Sequence, residues 1–481
     1  MTNHHNIRLT LLMLPVLLAP IADAESLDQA SPRPNILFIA IDDMNDWTGF
    51  LGGHPQAVTP NLDAVARKGV NFTNAHCPAP GCSPSRNALL YGVEPFHSGY
   101  YVFYDKEEVH QRLRESYLSL PQLFKESGYA TYGAGKIHHG IRDNAAEWSD
   151  YHQPKNHKLH LKPGAVYQPD GTFKMSFGPT VNPLDEHPDY QVASYGVEVL
   201  SKQHEQPFFL AVGIVRPHLP FVCPEAFFDL YPDPVAPPLI KEDDLLDVPA
   251  VGRAMVRRAD DNRFRKDAAW DAVRRAYLAC VSWADFNVGR VIAALEASPY
   301  ADNTIVVIWS DHGFALGEKH HFRKFALWEE TTRVPFIIWD TRRKAGAGWS
   351  IEAGVSLINI YPTLVDMAGL KGPTYLDGYS LRPWLEDPTK PLSIPSICTW
   401  GRGNYTIRSA EFRYTRYHDG GEELYAHRDD PQEWSNLALE GQFADVKVAL
   451  AAFLPKVEAP LVEDGIAPWS VPISADKPES K

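Results

Sequence analysis

The chain has 481 residues, 44% of them apolar, and a formal net charge of −14 at pH 7. That charge excludes broad attachment to nucleic acid or to anionic membrane surfaces, so an anionic substrate must be drawn in by a local basic pocket. Five cysteines (Cys77, Cys82, Cys223, Cys280 and Cys398) are few and odd in number, so at most two bridges form and size, not crosslinking, must stabilise the fold.

Residues 1–24 read as a signal peptide: Arg8 precedes the apolar run LTLLMLPVLLAPIA, and small residues end it at Ala24. Secretion or export to a periplasm is therefore expected. No later stretch has 18 consecutive apolar residues, so no integral membrane segment is expected in the mature chain.

NILFIAI (35–41) reads as a fully apolar strand that runs into Asp42 and Asp43. PNLDAVARKG (60–69) follows as a helix with proline at its start and glycine at its end. GCSPSRNALLYG (81–92) reads as a second helix, with Pro84 in its first turn, Ser83 able to cap it and Gly92 ending it. Cys82 then sits at the positive end of a helix dipole, where thiols lose protons readily and anions are stabilised. YATYGAG (129–135) runs into Lys136 and His138, and PFFLAVGIV (207–215) into RPHLP with His218. Residues 272–298 place Val273, Tyr277, Cys280, Ala284, Val288, Val291 and Leu295 on one helical face. TIVVIWS (304–310) runs into Asp311 and His312. From about residue 390 the pattern changes to two or three strands around the Asp419–Gly420–Gly421 turn, then a helix near 441–454.

Apolar strands alternating with helices predict an α/β fold with a mostly parallel central sheet sandwiched by helices. Residues 25–390 form this expected catalytic domain, and 391–481 a smaller C-terminal α+β subdomain with an antiparallel sheet and a tail. In such sheets ligands bind at the carboxyl ends of the strands, where the polar residues above are found.

Asp42, Asp43 and Asp311 are hard oxygen ligands suited to Ca²⁺ or Mg²⁺, and His312 is a fourth candidate. Acid pairs behind strands also cap helices. Arg86, Lys136 and Lys324 are cations able to meet a tetrahedral anion, and His138, His139, His218 and His312 can move protons near neutral pH. Metal, nucleophile, cations and histidines together equip a site for displacement at phosphorus or sulfur. A tyrosine-phosphatase loop is excluded, because cysteine, five residues and arginine fails at both Cys77 and Cys82. Arginines 253, 257, 258, 263 and 265 either line a polyanion's approach or, with Asp260, Asp261 and Asp267, make a solvated helix.

CSPSRNALLYG resembles the signature of formylglycine-dependent sulfatases of the alkaline phosphatase-like superfamily, C-x-P-S-R-x-x-L-x-T-G, with Tyr91 in place of threonine. PNILFIAIDDMN, TPNLDAVARKGVNFTNAHC, GKIHHG, RPHLPF, SDHGFALGEKHHFRK and ELYAHRDDPQEWSNLA extend the resemblance over nearly the whole mature chain, and PHLPF and SDHG are similar to the iduronate-2-sulfatase-like group. The resemblance implies that Cys82 is oxidised to formylglycine by a formylglycine-generating enzyme and that the aldehyde hydrates to a nucleophilic diol. It implies that Asp42, Asp43, Asp311, His312 and the modified Cys82 hold Ca²⁺, with Mg²⁺ also possible. Arg86, Lys136 and Lys324 would offset charge, His218 with Lys324 would assist the leaving alcohol, and His138 would take a proton from the second hydroxyl. A spacing of three residues after the lysine, used by close relatives, selects His139 instead. The implied substrate is a sulfated polysaccharide or oligosaccharide, with a uronate 2-O-sulfate as first guess. Two rival functions stay open: phosphomonoester or phosphonate hydrolysis, and an inactive sulfated-sugar-binding homologue.

Overall fold

The computed structural model describes residues 33–463 and 465, apart from 105, 141–143, 166, 169–174, 233 and 344–346. The expected signal peptide lies outside the described residues.

Eight strands make the central sheet: β1 (Asn35–Ile41), β2 (Val70–Phe72), β3 (Ala130–Gly135), β4 (Asp150–His152), β5 (Phe208–Ile214), β6 (Thr304–Ser310), β7 (Phe336–Asp340) and β8 (Trp349–Ile351). Their order is β8-β2-β7-β6-β1-β5-β3-β4, and only β7 runs antiparallel to its neighbours. β1, at the centre, is buried along its whole length, as its unbroken apolar sequence requires. Its side chains alternate between two cores. Ile36, Phe38 and Ala40 enter one and Leu37, Ile39 and Ile41 the other.

The first core is closed by α2 (Cys82–Tyr91), α3 (Leu120–Glu126) and α6 (Ile360–Met367), the second by α1 (Pro60–Lys68), α4 (Pro188–Ser201) and α5 (Trp270–Glu296). All seven apolar residues assigned to one face of α5 enter the second core. Each large side chain buried this way contributes roughly 1.5–3 kcal/mol. α5 starts two residues before the expected position, because no strong capping residue fixes its beginning. It is also, among the described residues, the helix long and apolar enough to cross a membrane, and here it lies against the sheet.

The C-terminal region forms a four-stranded antiparallel sheet, β9 (Ser396–Thr399), β10 (Tyr405–Arg408), β11 (Phe412–Arg416) and β12 (Glu422–Ala426), followed by α7 (Ala444–Ala451). The first strand exceeds the two or three expected, since SICT is too short to show a period. A buried charge network joins this sheet to the segment after β6. Arg413 pairs with Glu329 and Glu433, Arg408 with Glu329 at 3.1 Å, and Trp328 Nε1 donates to Glu423 at 2.8 Å.

Candidate active site

Four adjacent strands, β6, β1, β5 and β3, deliver functional side chains from their carboxyl ends. The register pairs Ile41 with Ser310, so Asp42 and Asp311 leave the sheet side by side. Asp42 N donates to Ile214 O at 3.1 Å, and Asp311 N to Ile41 O at 3.3 Å. Asp43 turns out of the strand with φ 63°, a left-handed conformation uncommon for aspartate. Three bonds hold it there: its N–H donates to Asp311 Oδ1 at 3.1 Å, its carbonyl accepts from Tyr277 Oη at 2.7 Å, and Tyr277 Oη also accepts from Asn45 N. Sequence reasoning placed Tyr277 only on an apolar face. A helical period carries no sign that a tyrosine's hydroxyl reaches another element.

β3 ends at Gly135, and Lys136 N donates to Gly213 O at 3.0 Å. A Cβ on Gly213 would lie 2.3 Å from Lys136 O, so only glycine permits this approach. α2 brings Cys82 to the same place. Its cap is Gly81, while the Ser83 hydroxyl is buried without a hydrogen-bond partner among the described atoms, so the expected serine cap does not form. Gly92 ends α2 at φ 72°, as its sequence position predicts.

Around Cys82 the groups converge. Its Sγ lies 2.8 Å from Lys324 Nζ, 3.2 Å from His312 Nε2 and 3.8 Å from Asp43 Oδ1. Lys324 also pairs with Asp43 at 2.7 Å, Lys136 with Asp42 at 2.6 Å, and Arg86 Nε with Asp311 at 2.7 Å. Arg86 is fully buried and donates further to the carbonyls of Lys136 and Ile137. His312 donates from Nδ1 to Gly313 O, which leaves the Nε2 lone pair facing Asp43 at 3.1 Å and Asp311 at 3.6 Å. His218 donates from Nδ1 to Leu219 O and points Nε2 at Asp43 Oδ2, 3.9 Å away, with a third of its side chain exposed.

Charge states follow from this crowding. Burial alone raises the Asp42 carboxyl, but Lys136, His218, Arg86 and Lys324 together hold it well below its ordinary range. Asp43, raised by burial, is brought down to about 2 by His218, Lys324 and His312. Burial lowers His312 and so favours the neutral ring a metal needs. Asp42, Asp43 and Asp311 balance Arg86, Lys136 and Lys324 in formal charge. A divalent ion would therefore leave the pocket positive, although the chain as a whole is negative.

Asp42, Asp43, Cys82 and His312 each offer a ligand atom, all within 4.8 Å of one another, and Asp311 Oδ1 adjoins them. Buried carboxylate oxygens plus one neutral imidazole fit a hard divalent cation. The two histidines after β3 have different partners. His138 is buried, and its Nε2 bonds Glu147 at 2.9 Å beside Tyr91. Burial first, then Lys136, lowers His139 to about 3, with Lys324 and Arg86 acting the same way. Its Nδ1 is buried and has no hydrogen-bond partner among the described atoms. The two histidines therefore differ in surroundings: a buried carboxylate holds His138, while His139 lies in the field of Lys136, Asp42, Lys324 and Arg86. The arginines of 253–265 are partly committed to acids on their own segment, Arg257 to Asp260 at 2.9 Å and Arg265 to Asp261 at 2.8 Å.

Residues 34–370 match the family model described as Sulfatase. The chain belongs to the sulfatase family. A sulfatase of Formosa agariphila is 36% identical over 446 residues, covering 89% of this chain and 87% of that one. The iduronate 2-sulfatase of Mus musculus is 31% identical over 400 residues, covering 72% of this chain and 70% of the relative. Among solved structures, the phosphonate monoester hydrolase of Silicibacter pomeroyi superposes with TM-score 0.70 at 21% identity, covering 87% of this chain and 94% of that one, which shows the shared alkaline phosphatase-like fold. This sulfatase is a sulfuric ester hydrolase, and its substrate is a sulfated compound. The family implies a metal and a formylglycine, so the Cys82 sulfur stands in for the oxygen that a modified residue would carry.

Proposed function

We propose that this sulfatase is exported and removes O-sulfate from a polysaccharide or oligosaccharide at a chain end, with a uronate 2-O-sulfate as the preferred group. Cys82 is converted to formylglycine by a formylglycine-generating enzyme, and Asp42, Asp43, Asp311 and His312 hold Ca²⁺ next to it, with Mg²⁺ the competing ion. The observation that carries this reading is the placement of Cys82 Sγ against Lys324, His312 and Asp43 at the start of α2. Export rests on the composition of residues 1–24. The sugar rests on the iduronate 2-sulfatase relative.

When present, the hydrated formylglycine supplies a diol oxygen for attack on sulfur and a second hydroxyl for its own regeneration, and the divalent ion supplies Lewis acidity toward both diol and sulfate. The chain's residues do the rest. Lys324 and Lys136 place ammonium groups beside the nucleophile and its carboxylates, where they offset the charge that grows on sulfate oxygens. Arg86 fixes Asp42 and Asp311 in place from below. His218, on the open side, presents Nε2 to the departing alcohol and, when protonated, gives it a proton. His139, which burial and Lys136 keep neutral, would be the residue able to take a proton from a hydroxyl at position 82, with His138 the alternative.

The deciding experiment sets the matured enzyme against a panel of sulfated oligosaccharides, with 4-nitrophenyl sulfate and 4-nitrophenyl phosphate alongside. Release of 2-O-sulfate from terminal uronates, with aryl sulfate turned over faster than aryl phosphate, is expected. Loss of internal sulfates first, or faster phosphate release, would reject the chain-end or the sulfate reading respectively.

A further inference from the structure

The five cysteines separate by position in a way their sequence spacing does not reveal. All five are free and buried. Cys77 Sγ and Cys398 Sγ are 3.9 Å apart in the first core. Cys223 and Cys280 are both buried in the second. Cys82 instead faces Lys324, His312 and Asp43. An odd count leaves one sulfur over, and the fold leaves the one at the catalytic centre.

We propose that Cys77 and Cys398 close a disulfide when the chain folds in an oxidising compartment, fastening the segment that leads into Cys82 to the C-terminal sheet. The backbones are already side by side. One residue beyond each cysteine, Thr399 N donates to Pro78 O at 2.9 Å. Neighbouring extended chains held by such bonds carry Cα atoms about 4.5–5.5 Å apart, within the roughly 4.4–6.8 Å that a disulfide spans. Rotation about the two χ1 bonds brings sulfurs already in contact to bonding distance.

The step transfers two electrons. One thiol, as thiolate, attacks a thiol–disulfide oxidant such as glutathione disulfide or an oxidoreductase disulfide, and forms a mixed disulfide as one oxidant thiol leaves. The second thiolate then displaces the other oxidant sulfur, so the oxidant's S–S bond is reduced to two thiols as the protein's bond forms. Burial pushes the Cys77 thiol well above its ordinary range, and its contact with Cys398 adds to this. The exchange therefore belongs to folding, before the core closes over both residues. Two consequences follow. A link across 321 residues of chain restricts the unfolded state strongly. It also removes the thiol five positions before Cys82, which would otherwise compete to pair with it.

The full chain is produced in an oxidising compartment, its free thiols are alkylated in denaturant, and it is digested without reduction. Mass spectrometry should show the Cys77 and Cys398 peptides joined, about 2 Da lighter than their sum and separable by reductant. Alkylated Cys77 and Cys398 in that digest, or Cys77 joined to Cys82, would overturn the proposal. Cys398→Ser provides a second measurement. It should lower Tm by several degrees in protein made under oxidising conditions and by much less in protein kept reduced. An equal shift in both would show that packing, not a bridge, is what the substitution removes.

Discussion

Lys324 Nζ lies 2.8 Å from the Cys82 sulfur while holding Asp43 Oδ1 at 2.7 Å, so one ammonium ties the position of that sulfur to a carboxylate of the acidic cluster. Replacing it removes charge from both. Lys324→Met should lower kcat/KM for a sugar sulfate about 10²–10³-fold, the cost of losing one donor aimed at developing charge. Measured by initial rates at equal metal occupancy, a loss under threefold would show that Lys324 serves Asp43 alone.

Metal and activity should fall together at Asp43. Asp43→Asn keeps the shape but removes a ligand charge that His218, Lys324 and His312 hold ionised down to about pH 2. Elemental analysis of the variant should find the divalent ion reduced, with turnover reduced in proportion. Chelation of the parent enzyme should abolish turnover, and Ca²⁺ should restore it. Full activity in metal-free protein, verified by the same analysis, would contradict the assignment.

His138 and His139 should behave as different kinds of residue. His138→Ala leaves Glu147 buried without its 2.9 Å partner, and breaking such a pair costs about 3–5 kcal/mol, read as a lower urea midpoint with kcat of the folded fraction preserved. His139→Ala should keep stability but slow turnover of both 4-nitrophenyl sulfate and sugar sulfates, about 10²–10⁴-fold. Stopped-flow should then show a burst of nitrophenolate followed by the slow phase. The opposite pattern would assign the base to His138.

His218→Ala should discriminate between substrates. A nitrophenolate leaves unaided, whereas a sugar alkoxide needs a proton, and general acid assistance gives about 10²–10⁴-fold. The variant should therefore lose far more kcat on a sugar sulfate than on the aryl ester. Equal losses on both, at unchanged KM, would place His218 elsewhere in the cycle.

Glu433 sets an acid limit on stability. Burial raises its carboxyl, but Arg413 and His427 overcome that and bring it to about 2. A lowered native pKa means the contribution is complete above pH 4.5, the ordinary glutamate value, and disappears as pH falls toward 2. Glu433→Gln should cost about 3 kcal/mol at neutral pH, because Arg413 loses one of its two buried carboxylates. Urea titrations between pH 5 and 3 should show a shallower loss in the variant than in the parent. Parallel slopes would show that the network does not carry the acid sensitivity.

The sequence by itself determined the sheet, its strand ends and the polar residues that gather there. Apolar runs such as NILFIAI and TIVVIWS specify strands covered on both faces, and the polar residues straight after them must emerge at a sheet's carboxyl edge, so Asp42, Asp43, Asp311 and His312 were legible before any coordinate. Cys82 and Arg86 were legible because a helix start is a local property of four or five residues. Only the tertiary structure decided which way side chains turn once the strand has ended. His138 and His139 are equivalent as letters, and Glu147, nine residues on, claims one of them for the core. Tyr277 reaches Asp43 from a helix 234 residues away, and Cys398 reaches Cys77 across 321. Periodicity reports the face a residue lies on, since that is fixed by the backbone repeat. It carries no information on partners, because those are chosen by packing between elements whose separation along the chain is arbitrary.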